Sequence, residues 1–168
     1  GESNVGIGVR ALRSNTTGGE NTATGSNALY ANTTGERNTA TGYQSLYSNT
    51  SADYNSAFGY KTLTANTTGI RNVALGSGAL TTNTTGSDNI AIGTNSLFNN
   101  TTGLRNVAQG LSALGENTTG SDNTAFGTYS LVNNTTGDKN TAIGRNALFY
   151  NTVADNNTAL GYYAGDII

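Results

Sequence analysis

The chain has no proline, cysteine, methionine, tryptophan or histidine. Without histidine or cysteine there is no imidazole general base, no thiol nucleophile and no soft-ligand metal site. The lack of cysteine fits an oxidising or a reducing compartment equally well. Charged residues make up only 11% and hydrophobic residues 35%, against usual shares of about 25% and about 45–50%. A compact monomer of this composition is short of core material. The net charge is −2, which gives no basic footprint for nucleic acid or an anionic membrane. No apolar run approaches membrane-spanning length and no signal peptide is visible, so no direct membrane insertion is expected of these residues. The sequence opens on Gly1 in mid-repeat. The expectation is a piece of something longer, with any export signal or anchor outside it.

Threonine and asparagine fill the space, and they do so periodically. Asn-Thr-Thr-Gly, as at Asn66 to Gly69, or a close variant begins at Asn15, Asn32, Asn49, Asn66, Asn83, Asn100, Asn117, Asn134 and Asn151, each 17 residues after the last. At the sixth place after each start stands Asn (Asn21, Asn38, Asn72 and their equivalents) and at the eighth Ala (Ala74, Ala91). The tenth place is Gly (Gly76, Gly93) and the fourteenth Leu (Leu80, Leu97, Leu114). A fixed internal period means one supersecondary unit stacked on copies of itself. A polar low-complexity chain could be disordered, but disorder needs no strict register of Leu and Ala. Residues 1–14 read as a partial first coil and 15–164 as the repeat. Residues 165–168 read as its end or the start of a neighbouring module, because Gly165 stands where Leu is due.

Helix is disfavoured within the unit by its glycines, threonines and asparagines and by the lack of a 3.6-residue period. Two short strands are expected instead, for example at Asn140 to Gly144 and at Ala147 to Thr152. Turns fall around Gly144-Arg145-Asn146 and Gly137-Asp138-Lys139, where glycine supplies a positive φ. Such units form a parallel β-solenoid of about ten coils, spaced about 4.8 Å apart and about 45–50 Å long in all. In-register stacking sets like on like, so the Asn and Thr columns are expected to form side-chain ladders. That role also accounts for the N-glycosylation sequons at Asn66 and Asn83. The fifth place alternates in sign from Arg71 through Asp88, Arg105 and Asp122 to Lys139, as an exposed file of ion pairs would.

The invariant Ala and Leu columns suit a thin interior. Two places vary: the ninth (Thr24, Thr41, Phe58, Leu75, Ile92, Gln109, Phe126, Ile143, Leu160) and the fifteenth (Tyr30, Tyr47, Thr64, Thr81, Phe98, Gly115, Val132, Phe149). A thin roll with a second apolar face needs a partner, so at least one of these columns is expected to bury against another chain, with Phe58, Leu75, Ile92, Phe126, Ile143 and Leu160 as the candidate interface. Tyr43, Tyr60, Tyr129 and Tyr162 follow the turn glycine. They are read first as turn packing and second as candidate carbohydrate contacts, stacking on a sugar ring.

The segments Asn140-Thr-Ala-Ile-Gly144, Asn89-Ile-Ala-Ile-Gly93 and Asn123-Thr-Ala-Phe-Gly127 resemble the head repeats of trimeric autotransporter adhesins. The longer unit with Asn-Thr-Thr-Gly is similar to repeat tracts of trimeric phage tail fibres. The resemblance spans nearly the whole chain. It implies a left-handed parallel β-roll, assembly as a homotrimer, and a role in adhesion or as a fibre shaft. A surface glycan or protein receptor is the implied target. The location it implies is extracellular, on a cell surface anchored through other regions or on a virion tail. It also implies that Thr141 and Ile143 fill the roll while Ala142 lies elsewhere, against the column reading. The 17-residue unit is longer than the adhesin head unit, and Thr often stands where that family has Val.

The expected function is therefore a structural and adhesive segment of a trimeric fibre, with no enzymatic activity, cofactor, metal or nucleic-acid partner. Ice binding by threonine ranks is the alternative from another class. A left-handed β-helix enzyme fits less well, since acyltransferases of that kind have a period near 18 in three sixes and usually employ a histidine.

Overall fold

The computed structural model describes residues 1–165. It contains β1 (Val5–Ile7), β2 (Thr22–Thr24), β3 (Thr39–Thr41), β4 (Ser56–Phe58), β5 (Val73–Leu75), β6 (Ile90–Ile92), β7 (Val107–Gln109), β8 (Thr124–Phe126), β9 (Thr141–Ile143) and β10 (Thr158–Leu160). The ten strands form one sheet in sequence order. Neighbours are parallel and offset by one repeat, so that Val73 faces Ile90, Ala74 faces Ala91 and Leu75 faces Ile92. The chain is a β-solenoid, as the period requires.

Each coil has one strand, not the two expected. The Ala147 to Thr152 segment and its equivalents are chains of turns. The cause is the backbone of the Leu column. Leu29, Leu80, Leu97 and Leu148 have φ of 48°, 51°, 48° and 50°, and Asn27, Asn95 and Asn146, two residues before a Leu, have 59°, 54° and 57°. The sign of φ therefore changes at successive residues, and the side chains lose the two-residue alternation of a strand. Ala147 and Leu148, though adjacent, both point inward and are buried. Backbone bonding between coils persists all the same. The Leu29 N–H donates to Ser45 O at 3.0 Å and the Ala31 N–H to Tyr47 O at 3.0 Å, while the Asn27 N–H reaches back to Val9 O at 2.9 Å.

These turns form a second wall facing the sheet. A Cβ on Gly6, which stands in the Ala column, would lie 3.7 Å from Leu12 Cδ1 and 3.9 Å from Ala11 Cβ. The interior is thus one small residue against one Leu, and Ala74, Ala91, Leu80, Leu97 and Leu114 are fully buried. The thirteenth place, held by Ala28, Ser45, Thr62, Ala79 and Ser96 among others, is buried beside them. Its hydroxyls are satisfied inside, as where Ser96 Oγ donates to Gly93 O at 3.0 Å. So thin a roll has no room for larger strand residues. Ala142 is fully buried and Ile143 is 41% exposed, which corrects the expectation that Thr141 and Ile143 fill the roll.

Two asparagine ladders run the length of the interior. In the first, Asn83 Nδ2 donates to Asn66 Oδ1 of the coil before at 2.9 Å and to Gly86 O at 2.9 Å. In the second, Asn72 donates both its backbone N–H (3.0 Å) and Nδ2 (3.2 Å) to Asn55 Oδ1. Asn72 Nδ2 also donates to Gly86 O at 2.9 Å, so this carbonyl joins the two ladders. Amides buried away from water are tolerable only when paired in this way. Asn21 and Asn38 continue the second ladder, the Asn38 N–H donating to Asn21 Oδ1 at 2.9 Å.

The glycines divide into two kinds. Gly76 and Gly93, in the tenth-place column, have φ of 128° and 129°, as expected for the turn after the strand. The Thr-Gly glycine is different, and here the sequence expectation needs correcting. The positive φ of that turn falls two residues later, at Arg71 (57°), Asp88 (61°), Arg105 (54°) and Lys139 (57°). The glycine is there for space: a Cβ on Gly35 would come within 2.5 Å of both Asn32 Oδ1 and Ala52 O.

Candidate interaction surfaces

Three long surfaces face outward. The first is the outer face of the sheet. With the central Ala of each strand inward, the residues on both sides of it point out. Phe58, Leu75, Ile92, Phe126, Ile143 and Leu160 therefore stand in one straight register column, interrupted only by Gln109. Leu75 is 48% exposed and Leu160 75%. Beside them runs a second column at the seventh place, including Val73, Ile90 and Val107. Sequence reasoning missed this column, although strand alternation around the inward Ala was the signal that places it. None of the outward residues of the ten strands is charged.

The second surface is the Asn-Thr-Thr-Gly edge. Its first threonine is used up internally: Thr84 Oγ1 donates to Thr101 O at 3.1 Å and Thr118 Oγ1 to Thr135 O at 2.9 Å. The second threonine, as at Thr68, Thr85, Thr102 and Thr119, is exposed. The edge thus presents a single file of free hydroxyls. Next to it the charged file resolves into separate ion pairs, Arg71 with Asp88 at 2.6 Å and Arg105 with Asp122 at 2.7 Å. Both are bidentate, since the Nη2 atoms reach the second carboxylate oxygens at 2.9 Å. The hydrogen bond from Arg71 holds the Asp88 carboxyl below its ordinary pKa, and that from Arg105 does the same for Asp122. Arg37 pairs instead with Glu20 of the coil before, at 2.9 Å. Among the described residues no three acidic side chains gather as metal ligands.

The third surface is the outside of the turn wall, opposite the sheet face. It carries the tyrosines singled out from the sequence. Tyr43 and Tyr60 are brought together, their rings stacked at 5.6 Å between centroids and 14° between planes. Tyr30 and Tyr47 form a second stack at 4.9 Å and 8°. Each ring spends a face on its neighbour, and Lys61 Nζ sits 5.4 Å from the Tyr60 centroid. These stacks are ladders between coils. Tyr162 lies far along the rod, its ring edge-on to Tyr163 at 4.6 Å. Tyr129 lines a hollow, a cavity of about 230 Å³ shared with Asn95, Phe98, Ser112, Gly115, Glu116 and Val132. The larger cavity, about 420 Å³, is the exposed end of the last coil around Leu148, Asn151 and Asn157.

No protein-family model, no curated protein and no solved structure matches the chain.

Proposed function

We propose that the chain is a structural and adhesive segment of a trimeric fibre on a cell or virion surface, in which two further copies cover the outward face of the sheet. The observation that carries this reading is the column from Phe58 through Leu75 and Ile92 to Leu160. It is straight, free of charge, uncovered in the single chain and apolar from Phe58 onward except at Gln109, with Thr24 and Thr41 before it. An exposed apolar column of this extent is a marker of an interaction site. Copies set parallel about a common axis bring the same column together at the same spacing, coil for coil. The resemblance to adhesin heads and tail-fibre tracts supports three chains and an extracellular setting. The interior serves stiffness: it is filled by short-range ladders, and the described cavities lie at the surface. Light scattering on a sizing column tests the reading. A mass three times the 17.2 kDa chain supports it, and a stable 17.2 kDa species overturns it.

Ice binding is a second reading, favoured by the exposed threonine file at Thr68, Thr85, Thr102 and Thr119. Against it, the neighbouring threonine hydroxyls are bonded to backbone, leaving one file where a flat array is wanted. Thermal hysteresis in a freezing assay would establish it.

A further inference from the structure

The hollow on the turn wall exists because one column misses one side chain. The fifteenth place of each repeat reads Tyr30, Tyr47, Thr64, Thr81, Phe98, Gly115, Val132, Phe149. Gly115 alone has nothing to fill its slot, and the gap opens between Phe98 and Val132. Its φ lies outside the left-handed region, so no positive φ requires this glycine; its N–H donates to Ser112 O at 3.1 Å, and an added Cβ would stand 3.1 Å from that same oxygen and 3.5 Å from Val132 Cγ2, so a side chain here needs a small shift of the turn. The Leu beside it, Leu114, is fully buried as in every interior coil, so the missing side chain leaves the core intact.

The lining has a mixed chemistry. Phe98, Val132 and the ring of Tyr129 give apolar walls. Asn95 and Tyr129 add an exposed amide and a phenol at the rim. Glu116 accepts from Asn99 Nδ2 through Oε2 at 2.7 Å, which fixes the carboxylate and leaves Oε1 for another donor. Rings that pack against C–H faces, with acceptors and donors set around them, are what a pyranose presents partners for. About 230 Å³ is below the roughly 300–1,000 Å³ of sites for larger ligands, which limits the occupant to a single ring or chain end. The one charge in the lining is negative, which disfavours sialic acids, uronic acids and phosphates.

We infer that the hollow at Gly115 is a binding subsite for the terminal ring of an uncharged glycan, a neutral hexose or an N-acetylhexosamine. This rests on the adhesive reading above and gives that reading a target class. The subsite lies on the wall opposite the sheet face, so covering that face with other chains leaves it open. A trimer carries three copies, and a weak single site gains avidity when several engage one surface.

The test is saturation-transfer NMR on the full chain with the methyl glycosides of glucose, galactose, mannose, N-acetylglucosamine and sialic acid. Transfer to at least one uncharged glycoside is expected, with none to the sialoside. Gly115→Val, which copies Val132 one coil on, should abolish the signal in a protein that keeps its β-sheet spectrum. Should that variant unfold, Tyr129→Ser replaces it, because Ser112 holds the same place one coil earlier with the same sign of φ; it should weaken transfer several-fold. No transfer to any uncharged glycoside, transfer only to the sialoside, or transfer undiminished in the folded variant each overturns the inference. Light scattering on the same sample separates the two readings. A monomer that shows transfer keeps the subsite and loses the trimer, whereas a silent trimer does the reverse.

Discussion

The backbone N–H of Asn89 donates to the side-chain Oδ1 of Asn72 one coil earlier, at 3.0 Å, and Asn89 Nδ2 reaches the same oxygen at 3.2 Å. One buried oxygen therefore satisfies a main-chain and a side-chain donor of the next coil. Asn72→Ala orphans the Asn89 N–H, leaves Asn89 Nδ2 with Gly103 O as its one remaining partner and removes the bond to Gly86 O. Each buried group left without a partner costs about 1–3 kcal/mol. The expected loss is about 3 kcal/mol or more by denaturant titration, while Thr85→Ala, at an exposed place, stays within about 0.5 kcal/mol. Equal stability of the two variants would mean that the ladder contributes nothing.

Gly93 and Gly115 make predictions of very different size for the same change. A Cβ on Gly93 would lie 2.5 Å from Gly110 O, at φ 129°. The obstacle is backbone, which cannot swing aside as a side chain can. Gly93→Ala combines that clash with left-handed strain of about 1–3 kcal/mol, and the expected outcome is severe destabilisation or failure to fold. Gly115→Ala has an ordinary φ, and its Cβ would stand 3.1 Å from Ser112 O, a tight contact that a shift of a few tenths of an ångström relieves. That cost is set against the restriction of the unfolded chain, and the expected change in Tm is small beside that of Gly93→Ala.

Leu97→Ala probes the interior. Leu97 is fully buried and supplies the one large apolar side chain of its coil's core, facing Ala91 across the roll. Truncation of a buried Leu costs about 2–5 kcal/mol. In a stack where each coil touches only its neighbours, the damage is expected to centre on β6 and β7, read as lost amide protection in hydrogen exchange. Uniform loss from β1 to β10 would show instead that the whole stack melts as one unit.

The period made the solenoid, the inward Ala and Leu columns and the Asn ladders legible, because stacking copies forces equivalent places into one environment. Three things were not legible. The left-handed Leu residues break the rule that bulky side chains avoid positive φ, so an Ala-Leu run reads as strand when it is a chain of turns. The Thr-Gly glycine is dictated by the carbonyl of the next coil, a neighbour that local turn rules do not contain. The hollow depends on one missing side chain among eight places, and it became visible only when Phe98, Gly115 and Tyr129 were set side by side. The seventh-place column, by contrast, was available from alternation around Ala74 and Ala91.

Asp88 and Asp122 should confer a small acid sensitivity. Each has a folded-state pKa depressed by its arginine. A depressed carboxyl contributes stability above its unfolded value of about 3.9, and loses it as pH falls through the folded value. Stability is therefore expected to be flat down to about pH 5 and to fall below about pH 4. The pairs lie at the surface, where ion pairs contribute little and are screened. Accordingly Asp88→Asn should shrink the acid-dependent part and lower stability near neutrality by the same small amount, and high salt should shrink it too. An acid transition that is identical in the variant would assign the sensitivity to other carboxylates.

Leu75 and Ile92 decide whether copies of the chain cover the sheet. They are in direct register on adjacent strands and point away from Leu80 and Leu97, which fill the interior. A lysine at either place stays solvated in an isolated chain, so neither substitution should unfold the coil. In a trimer the same lysines would be driven into an uncharged, apolar contact, where a buried unpaired charge costs several kcal/mol. The double variant Leu75→Lys, Ile92→Lys is therefore expected to keep its β-sheet spectrum while its mass falls from three chains to the 17.2 kDa of one. If the mass stays at three chains, the sheet face is not the contact, and the turn wall with its stacked Tyr30 and Tyr47 becomes the surface to mutate next. If the spectrum collapses along with the mass, the isolated roll does not hold its fold, and the expectation that a single chain keeps its coils is overturned.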